Sequence, residues 1–138
     1  SDDTKGLLDL AGQVAAQGPK PAIDAMAPIM LAAENHDTAM AARVRGWMEP
    51  GNARGIEGAL RGMAVRQGAK AWLGQVKVPA LVAAGSADQV IPPTASAAIA
   101  AAIPHAKLVS VAGAGHLLPL ERTAELNTLL TTWLDGRR

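Results

Sequence analysis

Asp88 and His116 have residue types and positions that are typical of an acid–base pair. Asp88 lies in the segment GSADQVIPP (residues 85–93), and His116 lies in AGAGHLL (residues 112–118). A carboxylate that accepts a hydrogen bond from imidazole fixes the tautomer of the ring and stabilises the imidazolium. The other ring nitrogen can then take a proton from a nucleophile. Asp88 and His116 are therefore the candidate catalytic residues.

Each of these two residues follows a short apolar run that is typical of a buried strand. The runs cover residues 78–84 and 107–111, a small-residue helix is expected between them over about 93–102, and a last helix over 121–134. The order strand, helix, strand, helix predicts a parallel α/β sheet. Parallel sheets place functional residues in loops at the carboxyl ends of their strands, so Asp88 and His116 are expected at adjacent strand ends.

The preceding 75 residues are predicted to form helices separated by Gly and Pro. Asp2 or Asp3 can cap the first helix, Thr38 begins the third and Asn52 can cap the fourth. The predicted organisation is a helical segment over residues 1–75 followed by a strand–helix–strand–helix segment over residues 76–138. Two parallel strands leave unpaired edges and too little apolar cover, so the second segment is expected to be the end of a larger sheet.

The stretch 78–134 resembles the C-terminal part of the α/β-hydrolase family. The matching features are the V-P-x-L-V strand, G-x-x-D-x-x-x-P, G-A-G-H and a Glu before the last helix. The resemblance implies that Asp88 is the triad acid, that His116 is the triad base, and that residues 1–75 are a helical cap or lid. The chain order also agrees, because these enzymes run nucleophile, acid, histidine.

The sequence lacks the G-x-S-x-G elbow that carries the nucleophile of a serine hydrolase. Its four serines are Ser1, Ser86, Ser96 and Ser110, and none is in such a motif. The resemblance therefore implies part of a hydrolase for a small carboxylic ester, lactone or thioester, whose nucleophile lies on an N-terminal half that is present as a separate or cleaved chain or is omitted from this one. One alternative is a relative with an Asp nucleophile, for dehalogenation or epoxide opening. Another is a non-catalytic fragment that associates with itself through a sheet edge.

Composition excludes several other classes of function. The chain is 49% hydrophobic and 18% charged, its formal net charge is +1, and it has three Trp but no Phe or Tyr. This composition favours a globular protein, and the near-zero net charge and low aromatic content argue against nucleic-acid or anionic-membrane partners. No stretch approaches the roughly 18 apolar residues of a membrane span, and the absence of cysteine fits a cytoplasmic location.

Neither a metal nor a cofactor is expected. His36 could be imagined as a metal ligand, but no second cluster completes a site. His105 follows Pro104 in a connector and is expected to be exposed, and Gly113-Ala114-Gly115 lacks the third glycine of a dinucleotide loop.

Taken alone, an Asp after a strand is most often a turn former, and the catalytic interpretation rests on finding Asp88 and His116 together.

Overall fold

The computed structural model of the chain describes residues 4–36 and 38–136. In chain order, these residues form α1 (Thr4–Gln17), α2 (Lys20–Met26), 3-10 turns at Ala27–Ile29 and Ala33–Asn35, α3 (Ala39–Met48), α4 (Ala53–Val65), α5 (Lys70–Leu73), β1 (Leu81–Gly85), α6 (Pro93–Ala102), β2 (Lys107–Val111), α7 (Leu118–Glu121) and α8 (Thr123–Asp135). No helix in this described part of the chain is long and apolar enough to span a membrane.

The chain divides into two compact units that alternate along the sequence. The first unit comprises Ser1–Pro28 and Asp37–Ala69, and the second comprises Ile29–His36 and Lys70–Arg138. The sequence predicted a single division of the chain, between residues 75 and 76. The second compact unit of the structure also includes Ile29–His36 and residues 70–75. Within the second unit, Ile29–His36 is hydrogen-bonded to Glu121 and to Leu117. The cap role of the first unit stays a prediction.

The first unit is built on the packing of α1 against α4. Ala11, Val14 and Leu60 are buried in its core, and Leu7 and Ile56 pack around them. These residues recur at helical spacing, so each helix presents one apolar stripe. The small side chain of Ala11 is fully buried, and small residues at a helix contact let two helices approach closely.

Two of the predicted helix starts in this unit are confirmed. The side chain of Asn52 accepts hydrogen bonds from the backbone nitrogens of Arg54 at 3.0 Å and Gly55 at 3.4 Å. Thr38 precedes α3, and its hydroxyl accepts from the Ala41 nitrogen at 3.4 Å. The cap expected at residue 2 or 3 lies outside the described residues.

The second unit contains a parallel pair of strands joined by a helical crossover. β1 and β2 pair in register from Leu81 with Lys107 to Gly85 with Val111, and α6 lies between them in sequence. This arrangement confirms the predicted α/β fold class. A core of buried residues lies beside β2 and includes Val111, Ala114 and Leu118.

The element boundaries of this unit follow the prediction with two differences. β1 begins at Leu81, three residues later than predicted, because Pro79 has no amide hydrogen to donate to a ladder. The exposed side chain of Val78 agrees with this start. The second difference is the short helix α7, most of which precedes the predicted last helix over 121–134; α8 then begins at Thr123, after Arg122, whose φ of −137° and ψ of 50° are not helical.

Candidate active site

The carboxylate of Asp88 is held in the loop that follows β1. Its Oδ1 accepts hydrogen bonds from the backbone nitrogens of Val90 at 2.8 Å and Ile91 at 2.9 Å. Asp is well suited to this position because its short side chain can bond to the backbone two or three residues later. The side chain is only 10% exposed. The loop therefore fixes one carboxylate oxygen and directs the other, Oδ2, at a partner.

That partner is His116, in the loop after β2. Its Nδ1 lies 3.0 Å from Oδ2 of Asp88. An ionised carboxylate can only accept a hydrogen bond, so Nδ1 carries the proton and donates it. The neutral ring then has its lone pair on Nε2, which is the form a general base requires. The structure thus brings together the two residues that the sequence singled out, while their catalytic role stays a prediction.

The surroundings of Asp88 keep its side chain ionised. Burial by itself raises the pKa of this carboxyl group, because an ionised carboxylate loses hydration. Hydrogen bonds from the Ile91 backbone, the His116 ring and the Val90 backbone act in the opposite direction and together outweigh burial. The pKa of Asp88 is therefore below its ordinary value of 3.8, and the group is an anion at neutral pH.

The two loops are joined to each other next to the strand ends. The backbone nitrogen of Ser86 donates to the Val111 carbonyl at 2.9 Å, and that of Ala87 donates to the Ala114 carbonyl at 2.9 Å. These bonds continue the contact between β1 and β2 beyond the last ladder pair. The juxtaposition of Asp88 and His116 is therefore a consequence of the parallel pairing of β1 with β2.

Glu121, at the end of α7, connects the histidine loop to the segment Ile29–His36, which we call the strap. Its Oε1 accepts from the Gly115 nitrogen at 2.7 Å, and its Oε2 accepts from the Ala32 nitrogen at 2.8 Å and from Asn35 Nδ2 at 2.9 Å. Glu121 is only 7% exposed, and a buried carboxylate needs such donors to offset its lost hydration.

The strap is the feature of the site that the sequence did not indicate. The family resemblance includes Glu121 only as a Glu before the last helix, and the predicted helical cap includes the strap. The partners of Glu121 in the strap are a backbone amide and an Asn side chain almost 90 positions away. A backbone amide has no residue-specific signature, so residue types alone could not have revealed this contact.

The three described serines occupy ordinary structural positions. The hydroxyl of Ser86 accepts from the Gly113 nitrogen at 3.0 Å, Ser96 is buried in α6, and Ser110 is exposed on β2. Ser1 lies outside the described residues. That the nucleophile lies on another part of the protein stays a prediction.

A cavity in the second unit lies at the opposite end of the two strands. Its volume is about 410 Å³, and it is lined by Val76, Lys77, Val78, Pro79, Pro104 and His105. These residues precede β1 and β2, whereas Asp88 and His116 follow them. The cavity is therefore separate from the candidate catalytic pair.

Comparisons with known protein sequences and structures identify relatives of this chain. Residues 35–123 match a family model described as the alpha/beta hydrolase fold. No curated protein sequence matches the chain. Among solved structures, a thermophilic esterase from Thermogutta terrifontis is similar, with a TM-score of 0.88 and 25% identity over 96% of this chain and 50% of that chain.

Two further solved structures share the fold at lower identity. The enol-lactonase from Burkholderia xenovorans LB400 has a TM-score of 0.83 and 22% identity, over 92% of this chain and 49% of that chain. MenH from S. aureus has a TM-score of 0.80 and 19% identity, over 98% of this chain and 52% of that chain. The chain therefore spans about half the length of the solved structures that it matches.

Proposed function

The chain belongs to the α/β-hydrolase family, and on that premise we propose that Asp88 and His116 are the acid and the base of a hydrolase catalytic triad. The observation that carries this proposal is the 3.0 Å contact between His116 Nδ1 and Asp88 Oδ2. It is supported by the two backbone amides that hold the other oxygen of Asp88. A side chain held in this way can orient an imidazole without reorganising during the reaction.

The proposed reaction is the two-step hydrolysis of an ester bond. Nε2 of His116 takes the proton of a serine hydroxyl while the oxygen attacks the substrate carbonyl carbon. The imidazolium, stabilised by Asp88, then gives that proton to the departing alcohol, which leaves an acyl-enzyme. His116 next removes a proton from water, the hydroxide attacks the acyl carbon, and the released serine oxygen regains a proton. The products are a carboxylic acid and an alcohol.

The serine is proposed to lie on an N-terminal half of the same hydrolase, joined to this chain or separate from it. The chain spans about half the length of its solved relatives. Within the described residues β1 pairs only with β2, so its other edge is open to a further strand. Large apolar side chains are also exposed on the elements around this sheet, namely Ile99, Leu108, Leu130 and Leu134. We call this chain together with that half the assembled protein.

The proposed substrate class is a small carboxylic ester, lactone or thioester. An acid–base pair that activates a hydroxyl is suited to attack on a carbonyl carbon with an oxygen or sulfur leaving group. The names of two similar structures, an esterase and an enol-lactonase, are in keeping with this class.

The proposal is tested by labelling the assembled protein with a fluorophosphonate, which reacts with serine hydroxyls that a neighbouring base activates. Labelling of the nucleophile-bearing half is expected, and His116→Ala should slow it by about 10²–10⁴-fold, the usual contribution of a general base. The matched control is His105→Asn, because His105 has a φ of 61°, which Asn tolerates well. Its labelling rate should equal that of the wild type.

Equal labelling of the wild type and His116→Ala would contradict the assigned role of His116. Absence of labelling, together with a covalent ester formed on an Asp by an alkyl halide or epoxide, would contradict the serine mechanism and support the Asp-nucleophile alternative.

A further inference from the structure

The main chain around His116 is held on both sides by groups outside its own loop. The nitrogen of Gly115 donates to Glu121, and the nitrogen of Leu117 donates to the carbonyl oxygen of Met30 at 3.1 Å. These are the backbone amides immediately before and immediately after the histidine residue. The position of the imidazole therefore depends on α7 and the strap as well as on Asp88.

Glu121 is the group through which these two supports are connected. One of its oxygens accepts from the histidine loop, and the other accepts from two donors of the strap. All three donors are neutral N–H groups, and hydrogen bonds to a carboxylate are stronger and shorter than bonds between neutral groups. The carboxylate therefore joins the histidine loop to the strap at a point with little access to water.

The packing around Gly115 leaves almost no space for the loop to move independently. A Cβ at this position would lie 2.4 Å from the Ala32 nitrogen and 2.9 Å from Oε1 of Glu121. Both Gly115 and Ala32 are buried. A displacement of the strap would consequently displace the residue that precedes His116.

We propose that Glu121 is a positioning residue for His116, acting through the Gly115 amide and the strap to keep the imidazole in line with Asp88. This inference rests on the proposed hydrolase function for its effect on turnover. Glu121 does not touch the imidazole in this scheme. Its role is to hold the backbone from which the ring projects, so that Nδ1 remains within hydrogen-bond distance of Oδ2.

The substitution Glu121→Gln separates this role from simple occupancy of space. Gln has nearly the same shape, but only one of its two terminal atoms accepts hydrogen bonds. If its oxygen faces the two strap donors, its NH2 group opposes the Gly115 amide; if its oxygen faces the Gly115 amide, its NH2 group opposes the Ala32 amide. The variant therefore detaches the histidine loop from the strap while filling the same volume.

The matched control is Glu57→Gln, which makes the same chemical change outside the strap. Glu57 pairs with Arg61 within α4, and surface ion pairs contribute about 0–1 kcal/mol. This variant leaves the acceptor of the Gly115 amide unchanged. It is expected to behave like the wild type in both the proton-exchange and the turnover measurements.

The first measurement is the exchange of the His116 Nδ1 proton with water, followed by NMR on the chain itself. His105, which lies outside the strap, provides a reference signal in the same spectrum. In Glu121→Gln the proton should exchange at least about ten-fold faster than in the wild type, because opening of the Asp88 contact becomes more frequent. This readout requires no catalytic activity.

The second measurement is turnover of p-nitrophenyl acetate by the assembled protein. In Glu121→Gln, kcat should fall by about 10²-fold, the loss that an ångström-scale misplacement of a reacting group can cause. KM should change by less than two-fold or so, since Glu121 holds the base and not the substrate. If this variant fails to fold, Asn35→Ala replaces it, because it removes one strap donor and should give about a three- to ten-fold loss of kcat by the same reasoning.

The outcomes separate this inference from the proposed function. Faster proton exchange in Glu121→Gln, combined with an inactive wild-type assembly, would support the positioning role and contradict the hydrolase proposal. The alternative result is an active wild-type assembly, with kcat and proton exchange unchanged in Glu121→Gln, or in Asn35→Ala where that variant is used. This result would overturn the positioning role alone.

Discussion

Gly85, the last residue of β1, lies directly against the carbonyl oxygen of Gly115, the residue that precedes His116. A Cβ at position 85 would be 2.3 Å from that oxygen and 2.3 Å from the carbonyl oxygen of Ala114. No side chain can occupy such a space without moving the backbone. The histidine loop can therefore lie over the end of β1 because residue 85 is glycine.

Gly85→Ala should destabilise the second unit by about 1–3 kcal/mol, the usual cost of inserting a methyl group into a packed region. The clash is with backbone atoms, so no side-chain rotation relieves it. The control is Gly74→Ala, in the same unit, where an added Cβ has no atom within 4 Å. Denaturant unfolding measures both variants, and equal unfolding free energies would show that the loop does not pack on β1 as described.

The lowered pKa of Asp88 predicts a pH dependence of stability. Because the folded-state pKa is below the ordinary value of 3.8, the ionised group stabilises the folded protein. This stabilisation is fully present above about pH 4 and is lost as the pH falls through the folded-state pKa. The unfolding free energy of the wild type should therefore decrease more than that of Asp88→Asn between pH 5 and pH 2 or so. Parallel curves for the two proteins would contradict the ionised, hydrogen-bonded carboxylate.

The cap of α4 gives a prediction for the first unit. Asn52→Ala should lower the unfolding free energy by about 1 kcal/mol, because the Arg54 and Gly55 amides lose their acceptor. Asn52→Gly should cost only a few tenths of a kcal/mol, since glycine lets water reach those amides. Thermal unfolding of the three proteins provides the measurement. If Ala is as stable as Asn, the side chain of Asn52 is not the cap.

Much of the fold follows from local sequence signals. Thr38 and Asn52 are residues whose side chains accept from the first amides of a helix, and they stand where α3 and α4 begin. β2 occupies the apolar run 107–111 as predicted. The approach of Asp88 to His116 was predictable as well, because the carboxyl ends of paired parallel strands meet at one edge of a sheet.

The remainder depends on contacts between distant parts of the chain. The strap follows Pro28 within a helical region, so its own composition indicated a cap segment and not a support for the histidine loop. Its attachment to Glu121 is formed in large part by backbone atoms, which every residue possesses. The short helix α7 was also not predicted, because it directly follows the glycine-rich histidine loop and its four residues are too few to show helical periodicity.

The acid–base pair is tested by measuring the hydrolysis of p-nitrophenyl acetate by the assembled protein with Asp88→Asn. We predict a fall in kcat of about 10⁴-fold, because an Asn amide no longer fixes the ring tautomer that leaves Nε2 as the base. Asp9→Asn makes the same chemical change at an exposed pair with Lys5 on α1 and should retain wild-type turnover. An Asp88→Asn protein that hydrolyses the ester as fast as Asp9→Asn would contradict the assignment of Asp88 and His116 as the working acid–base pair.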